Sequence, residues 1–345
     1  MPALRYRLLD AALGRGLLPD PVLRAGSVLG AYARERAESR GGAAAQEARL
    51  KAIVETKSSG PVAEVPEAAN EQHYELPPDF LGLFLGPRRK YSGCLFEPEQ
   101  ATLAEAEEAM LALTCERAGV ADGQRILELG CGWGSLTLWL AEKYPDAEIV
   151  AVSNANNQRE YVEGVAAERG FSNLTVITAD MNDFEPEGAF DRVVSVEMFE
   201  HIRNWKELLR RISTWLNPDG KLFVHVFSHR TLPYLFEGTW AAERFFTGGV
   251  MPSHDLLLRF QEDLAVTDSW IVPGTHYART LQEWLKKLDA RRDEALAILR
   301  RDGRTDHAAK ALLGGWRLFL LSTDKVWGYR GGNRWLVSHY VLEPR

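Results

Sequence analysis

An α/β fold with a mostly parallel, doubly wound sheet is predicted by three features of the chain. The first is the run Ile126-Leu127-Glu128-Leu129, a short apolar strand that leads into glycines 130, 132 and 134 and then into an apolar helix pattern through Leu136, Leu138, Trp139 and Leu140. The second is the alternation that follows, strand with helix, up to residue 226, which requires a parallel sheet covered on both faces. The third is bulk: 345 residues, 46% of them hydrophobic, can bury a full core.

In chain order, the first forty residues are basic and amphipathic, with Arg5, Arg7, Arg15, Arg24, Arg34, Arg36 and Arg40 spread among leucines at near-helical spacing. Breaks at Gly14-Arg15-Gly16 and Pro19-Asp20-Pro21 predict short helices that cap the main domain, a substrate lid or membrane-surface contact being the alternative. Residues 41–70 shift to Gly, Ala, Ser, Pro and Glu, and the second half of this stretch, with Lys57-Ser58-Ser59-Gly60-Pro61, reads as a linker. Polar and aromatic residues 72–75 then precede a helical run through Phe80, Leu81, Leu83, Phe84 and Leu85. The Ala-, Glu- and Leu-rich stretch 99–118 reads as a lead-in helix.

At the turn, three glycines at alternate positions let the backbone fold tightly and let a ligand approach the main chain, while the helix start favours electron-rich groups. A dinucleotide fingerprint would space the third glycine three residues after the second and place an acid about twenty positions on. Here the interval is two, and the next strand, 148–152, ends in Ser153-Asn154. S-adenosylmethionine fits better. Glu128 can hold its charged amino-acid end, Gly130, Gly132 and Gly134 can pass its flat body, and Asn154 or Gln158 can bond the ribose.

The pattern continues as helix 135–143, helix 157–169, strand 174–178, strand 192–196, helix 205–215 and strand 221–226. Ligands of such sheets sit beyond the carboxyl ends of strands, so Asp180 is expected at the adenine amino group and Met181 on its face; a turn or helix N-cap is the plain alternative for Asp180. Glu197-Met198-Phe199-Glu200-His201 stands at another strand end, and on a helical turn Glu197, Glu200 and His201 would share a face. Were the methyl acceptor an amine, its nitrogen would have to be unprotonated, yet an alkylamine with a pKa of about 10 is mostly charged at neutral pH. Glu200 and His201 are the candidates to bind the ammonium and take its proton, with Glu197 as a further substrate contact.

Beyond residue 226 lies a long aromatic insertion that includes Tyr234, Phe236, Trp240, Phe245, Phe246 and Trp270, suited to enclosing a flat amine or an acyl chain. A charged helical segment, 281–301, reads as a solvated face, and residues 335–342 as a closing antiparallel strand. The expected divisions are 1–69 (extension and linker), 70–118 (donor-covering segment and lead-in helix), 119–228 (donor-binding core), 229–330 (substrate insertion) and 331–345 (final strand).

Several motifs resemble the cyclopropane fatty acid synthase superfamily of methyltransferases, and within it the coclaurine N-methyltransferase branch. They are Gln72-His73-Tyr74-Glu75, Lys90-Tyr91-Ser92, the glycine turn, Glu197-Met198-Phe199-Glu200-His201, Phe245-Phe246-Thr247-Gly248-Gly249 and His276-Tyr277. The resemblance implies a Rossmann-like class I methyltransferase using S-adenosylmethionine, in which Tyr91, Ser92 and the segment around Tyr74 close over the donor. Candidate acceptor contacts are Tyr74, His225, Phe227, Trp240, Phe246 and Tyr277. A second implication is methylation or cyclopropanation of unsaturated phospholipid acyl chains, which in the family goes with a bicarbonate-binding Cys, Glu, His and Tyr. Glu200, His225 and Tyr277 match that set; the Cys position falls on Gly93, with Cys94 beside it.

A net charge of −7 argues against a nucleic-acid partner. Cys94, Cys115 and Cys131 are an odd number without metal-like spacing, which suits a reducing cytoplasm and no metal site. No apolar run approaches the ~20 residues of a membrane span. The expected partners are a small amine or a lipid, and a homodimer is compatible with this reading.

Overall fold

The structure, a computed structural model, describes residues 6–64 and 76–345. Tyr74 and the motif around it lie outside the described residues.

Seven strands form one sheet in the order β3-β2-β1-β4-β5-β9-β8. They are β1 (Arg125–Leu129), β2 (Glu148–Ser153), β3 (Leu174–Thr178), β4 (Phe190–Val196), β5 (Leu216–His229), β8 (Leu264–Val272) and β9 (Trp335–Pro344). Pairings from β3 through β5 are parallel, whereas β9 runs antiparallel to both β5 and β8. A short hairpin of β6 (Tyr234–Leu235) and β7 (Val250–Met251) stands apart. The predicted α/β class therefore holds, with the closing strand as expected.

Local chemistry sets the helices. Leu103–Ala118 begins with a Thr102/Glu105 capping box and ends at Gly119 in the left-handed region. Trp205–Trp215 starts where the Asn204 side chain accepts the Glu207 N–H, and it buries Trp205, Leu208, Leu209 and Ile212 along one stripe. Three stretches differ from the sequence expectation. The Ala-rich stretch after Gly41 is helical over Gly42–Thr56. The segment expected over 281–301 is two helices, Gly274–Ala290 and Arg292–Arg301, broken at Arg291. Strand β8 joins the sheet edge from within the aromatic insertion; Thr267, Asp268 and Ser269 leave its pattern too polar to read as a strand.

Helix Asp306–Trp327 organises the layer above the sheet. Helices Arg7–Gly14 and Asp20–Glu38 lie against it, tied down by Arg24 to Asp324 at 2.9 Å and Arg317 to Asp20 at 3.2 Å. A Cβ on Gly314 would lie 2.8 Å from the Leu13 backbone, so this crossing depends on glycine. The amino-terminal helices are thus a packed cap. Among the described residues no helix is long and apolar enough to cross a membrane.

The sheet reverses its winding at β1 and β4, which are neighbours but connect outward in opposite directions. Such a switch point opens a crevice beyond the strand ends. Gly130 follows β1 there and Glu197 follows β4.

Candidate active site

Gly130, Gly132 and Gly134 all adopt positive φ. A Cβ on Gly132 would meet nothing within 4 Å, so the turn leaves open space where a ligand can pass. Gly134 differs from expectation: it caps helix Ser135–Lys143, and a Cβ there would lie 2.5 Å from Val162, so its role is helix packing and not ligand contact. Trp133 Nε1, Ser135 Oγ and Gln158 Nε2 are buried without hydrogen-bond partners among the described residues, and all three residues line the cavity beside the turn. Unsatisfied buried donors at a glycine turn are what a polar ligand would pair.

Glu128 is buried, accepts from the Thr137 hydroxyl at 2.6 Å, and has its pKa pushed up to about 8 by burial, against the Thr137 bond and Lys90. An ammonium arriving beside it would restore its charge. Tyr91 and Ser92 line the same cavity. Asn154, Asp180 and Met181 line a smaller connected region of about 100 Å³ with Gly130, Gly132 and Gln158. Asp180 also serves the turn, since its Oδ1 accepts the Asn182 N–H at 2.8 Å. These residues fit S-adenosylmethionine at both ends.

Glu197 departs from the helical turn expected of it. Its φ is +49°, and the short 3-10 helix Phe199–His201 begins after it. This kink turns its carboxylate into a ring of polar groups: Oε2 accepts from the Tyr277 hydroxyl at 2.7 Å and Oε1 from the Gly93 N–H at 3.1 Å, while Oε1 lies 3.3 Å from His225 Nε2. Glu200 is the opposite case. It is fully buried, and neither carboxylate oxygen has a hydrogen-bond partner among the described residues. Burial pushes both carboxyls up; Lys90, the Gly93 amide and Tyr277 oppose the push on Glu197, whereas the charge of Glu197 adds to it on Glu200. Of the pair, Glu197 has the surroundings that favour the charged form.

Glu197, Glu200 and His201 all face a cavity of about 360 Å³. Its walls are aromatic: Phe227, Phe246, Tyr277, Trp284, Phe319 and Trp327. Phe246 stacks on His201 at 6.3 Å between centroids, and Trp327 on Tyr277 at 4.5 Å. Helix Asp20–Glu38 roofs it with Ser27, Gly30, Ala31 and Arg34, so part of the cap is also cavity wall.

Two expected acceptor contacts stand elsewhere. Trp240 turns away from the cavity and donates its indole N–H to Asp10 at 3.0 Å, fastening the amino-terminal helix. His225, wholly buried, stands behind Glu197 instead of lining the cavity. Nor does Cys94 replace the cysteine missing at Gly93. It is buried with its thiol pushed up to about 12 by burial, and its Sγ lies 3.6 Å from the Ser92 carbonyl, outside the cavity lining.

Other residues at the site were given no role by the sequence, Lys90 being named only as part of its motif. Lys90, buried with its pKa lowered by burial, donates to the Gly93 carbonyl at 2.9 Å. Lys57, lowered to about 7 chiefly by burial, donates to the Ile202 carbonyl and acts on Glu200 only through its charge. His339 bonds His225. A lone Lys or His in a polar stretch carries no signal; the His225 and His339 pair needs the register of β5 on β9 to be seen.

The profile of the family described as mycolic acid cyclopropane synthetase matches residues 63–315. An (S)-coclaurine N-methyltransferase from Thalictrum flavum subsp. glaucum is 39% identical over 286 residues, 81% of this chain and 79% of that one. The cyclopropane-fatty-acyl-phospholipid synthase of Escherichia coli (strain K12) is 30% identical over 223 residues, 63% of this chain and 55% of its own. The crystal structure of a coclaurine N-methyltransferase bound to N-methylheliamine and SAH superposes with a TM-score of 0.93 at 35% identity, covering 97% of this chain and 98% of that one.

Proposed function

This chain belongs to the mycolic acid cyclopropane synthetase family and is an S-adenosylmethionine-dependent methyltransferase; we propose that it methylates the nitrogen of a small cyclic or aromatic amine. The observation that carries the acceptor class is the unpartnered, buried carboxyl of Glu200 inside an aromatic chamber. A buried carboxyl without donors is costly unless a cation comes to it, and aromatic faces favour the same guest. The relatives named for amine methylation support this reading.

The donor, when bound, supplies an electrophilic methyl on a sulfonium for in-line displacement. Glu128, the Gln158 amide and the turn amides hold and orient it, while Tyr91 and Ser92 cover it. On the acceptor side, the Glu200 carboxyl, which burial and Glu197 favour in its neutral form, releases its proton to solvent as the cation arrives, and Glu200 and His201 then bind the ammonium and take one proton from its nitrogen. That would leave the nitrogen a free lone pair in line with the methyl the bound donor would supply. Glu197 holds a fixed negative charge next to the cationic nitrogen, and the aromatic walls and the roof helix exclude water.

The lipid reading has less support. Three of the four positions matched to bicarbonate binding, Gly93, His225 and Tyr277, converge on the Glu197 carboxylate, the fourth being Glu200. Three buried free cysteines suit a reducing cytoplasm, and residues 229–330 with the roof helix would form the acceptor-binding part. Transfer of labelled methyl into a panel of cyclic amines, run beside unsaturated phospholipids, tests the assignment. Label in an amine is expected, and label only in the lipid would overturn it.

A further inference from the structure

Behind Glu197 runs a chain of buried side chains. His225 Nδ1 and His339 Nε2 are 2.9 Å apart, and His339 Nδ1 lies 2.8 Å from an Arg117 guanidinium nitrogen. Both imidazoles are fully buried, and the half-buried Arg117 reaches in from the last turn of helix Leu103–Ala118 while its guanidinium covers the Trp270 ring at 4.8 Å.

An arginine has donors and no acceptor. Next to it His339 Nδ1 must therefore accept, which puts the His339 proton on Nε2. That proton points at His225 Nδ1, which must in turn accept, leaving the His225 proton on Nε2 and aimed at Glu197. Each step follows from the one before it, and the direction of the whole chain is set at its outer end.

We propose that Arg117 and His339 are positioning residues for methyl transfer: through fixed imidazole tautomers they hold His225 as a donor to Glu197 and so keep Glu197 an ionised carboxylate facing the acceptor. Both imidazoles are neutral, as the arrangement requires, because burial lowers their pKa well below the usual range and the nearby cations lower it further. The charged and titratable groups around the chain are few. Lys90, Tyr277 and Glu200 face Glu197; Lys90 and Arg117 face the two imidazoles; Glu116, Asp268 and Glu97 face Arg117. If the outer arginine is removed, the His225 tautomer can reverse. Its Nε2 then becomes an acceptor, and Glu197 has to take up a proton to bond it.

Two measurements test this. Nitrogen-15 spectra of the histidine rings in the full-length wild-type chain should show His225 and His339 protonated at Nε2 and bare at Nδ1; the opposite tautomer in either ring overturns the proposal. This arm does not depend on the reaction. The second arm rests on the amine reading and follows kcat/KM against pH for Arg117→Met and His339→Leu. Loss of the chain should move the acid limb up by about one pH unit, a roughly tenfold loss at the acid end. Arg117→Lys, a donor-only cation, and His339→Gln, which can accept and donate at once, should restore the wild-type limb. S-adenosylhomocysteine binding close to wild type shows that each variant is folded. Limbs that stay in place in the Met and Leu variants overturn the positioning role. Failure of every amine to accept methyl would instead count against the acceptor reading and leave the tautomer result standing.

Discussion

Gly93 and Tyr277 are packed so closely that a Cβ on residue 93 would lie 3.1 Å from Cδ1 of the tyrosine ring. The ring is held there by stacking on Trp327 and by its hydroxyl bond to Glu197. A side chain at position 93 must shift the ring by a few tenths of an ångström, which strains that bond. Gly93→Ala and Gly93→Cys should therefore each lower kcat/KM for the amine by about tenfold or more, the scale of a lost bond to a charged group. Affinity for S-adenosylhomocysteine should be nearly unchanged. Tyr277→Phe should cost a similar amount, and the Gly93→Ala/Tyr277→Phe pair no more than either alone, because both remove the same interaction. Additive losses would show that residue 93 acts by another route. The cysteine variant should put no label into phospholipid, since Glu197 still fills the space between His225 and Tyr277.

Removal of the Glu200 carboxyl should be felt most when the acceptor is charged. In Glu200→Gln the group that binds the ammonium and takes its proton is lost, so turnover at pH 7 should fall by about 100-fold or more. As pH rises toward the amine's own pKa of about 10, free amine becomes abundant and the deficit should shrink. Donor affinity should be largely kept. A deficit that is constant from pH 7 to 9.5 would mean that Glu200 only shapes the cavity.

Much of this arrangement was legible in the chain, for a physical reason: the switch-point residues sit next to strand ends. Gly130 and Glu197 directly follow β1 and β4, whose apolar runs mark them, so local pattern alone brings them to one crevice. What could not be read depends on contacts distant in sequence. Trp240 looks like any cavity aromatic until Asp10, 230 residues away, is seen to hold its N–H. His225 carries a motif position, yet its surroundings include His339, which only sheet register brings to it, and beyond that Arg117, which a packed helix brings. The bent backbone at Glu197 was equally invisible, because a positive φ at a non-glycine residue is imposed by its surroundings.

Donor binding should carry the signature of Glu128. Its pKa in the free protein is raised to about 8 by burial, so at pH 6 to 7 the carboxyl is mostly protonated. A ligand ammonium prefers the ionised form, and binding must then expel a proton. Affinity for S-adenosylhomocysteine should accordingly rise with pH from 6 to 8, by up to tenfold per unit, and level off above. Calorimetry in two buffers of different ionisation heat should report proton release on the rising limb. Glu128→Gln has no proton to lose, so its limb should be flat and its affinity lower at pH 8. A flat limb in the wild type would place the amino-acid end of the donor away from Glu128.

Trp240 and Phe246 lie six residues apart in the aromatic insertion but should answer to different measurements. Trp240 donates to Asp10, which Arg244 also holds, and so it couples the first helix to the insertion. Trp240→Phe should cost about 1 kcal/mol in urea unfolding, the worth of one hydrogen bond, and leave the acceptor KM within about twofold. Phe246 faces the cavity and stacks on His201. Phe246→Ala removes a wall against which a cation would rest, a loss of about 1 to 2 kcal/mol in a desolvated site, so acceptor KM should rise by about tenfold while donor binding holds. If Trp240→Phe raises the acceptor KM as much as Phe246→Ala does, the indole reaches the substrate after all, and the cavity must open toward the first helix when the amine binds.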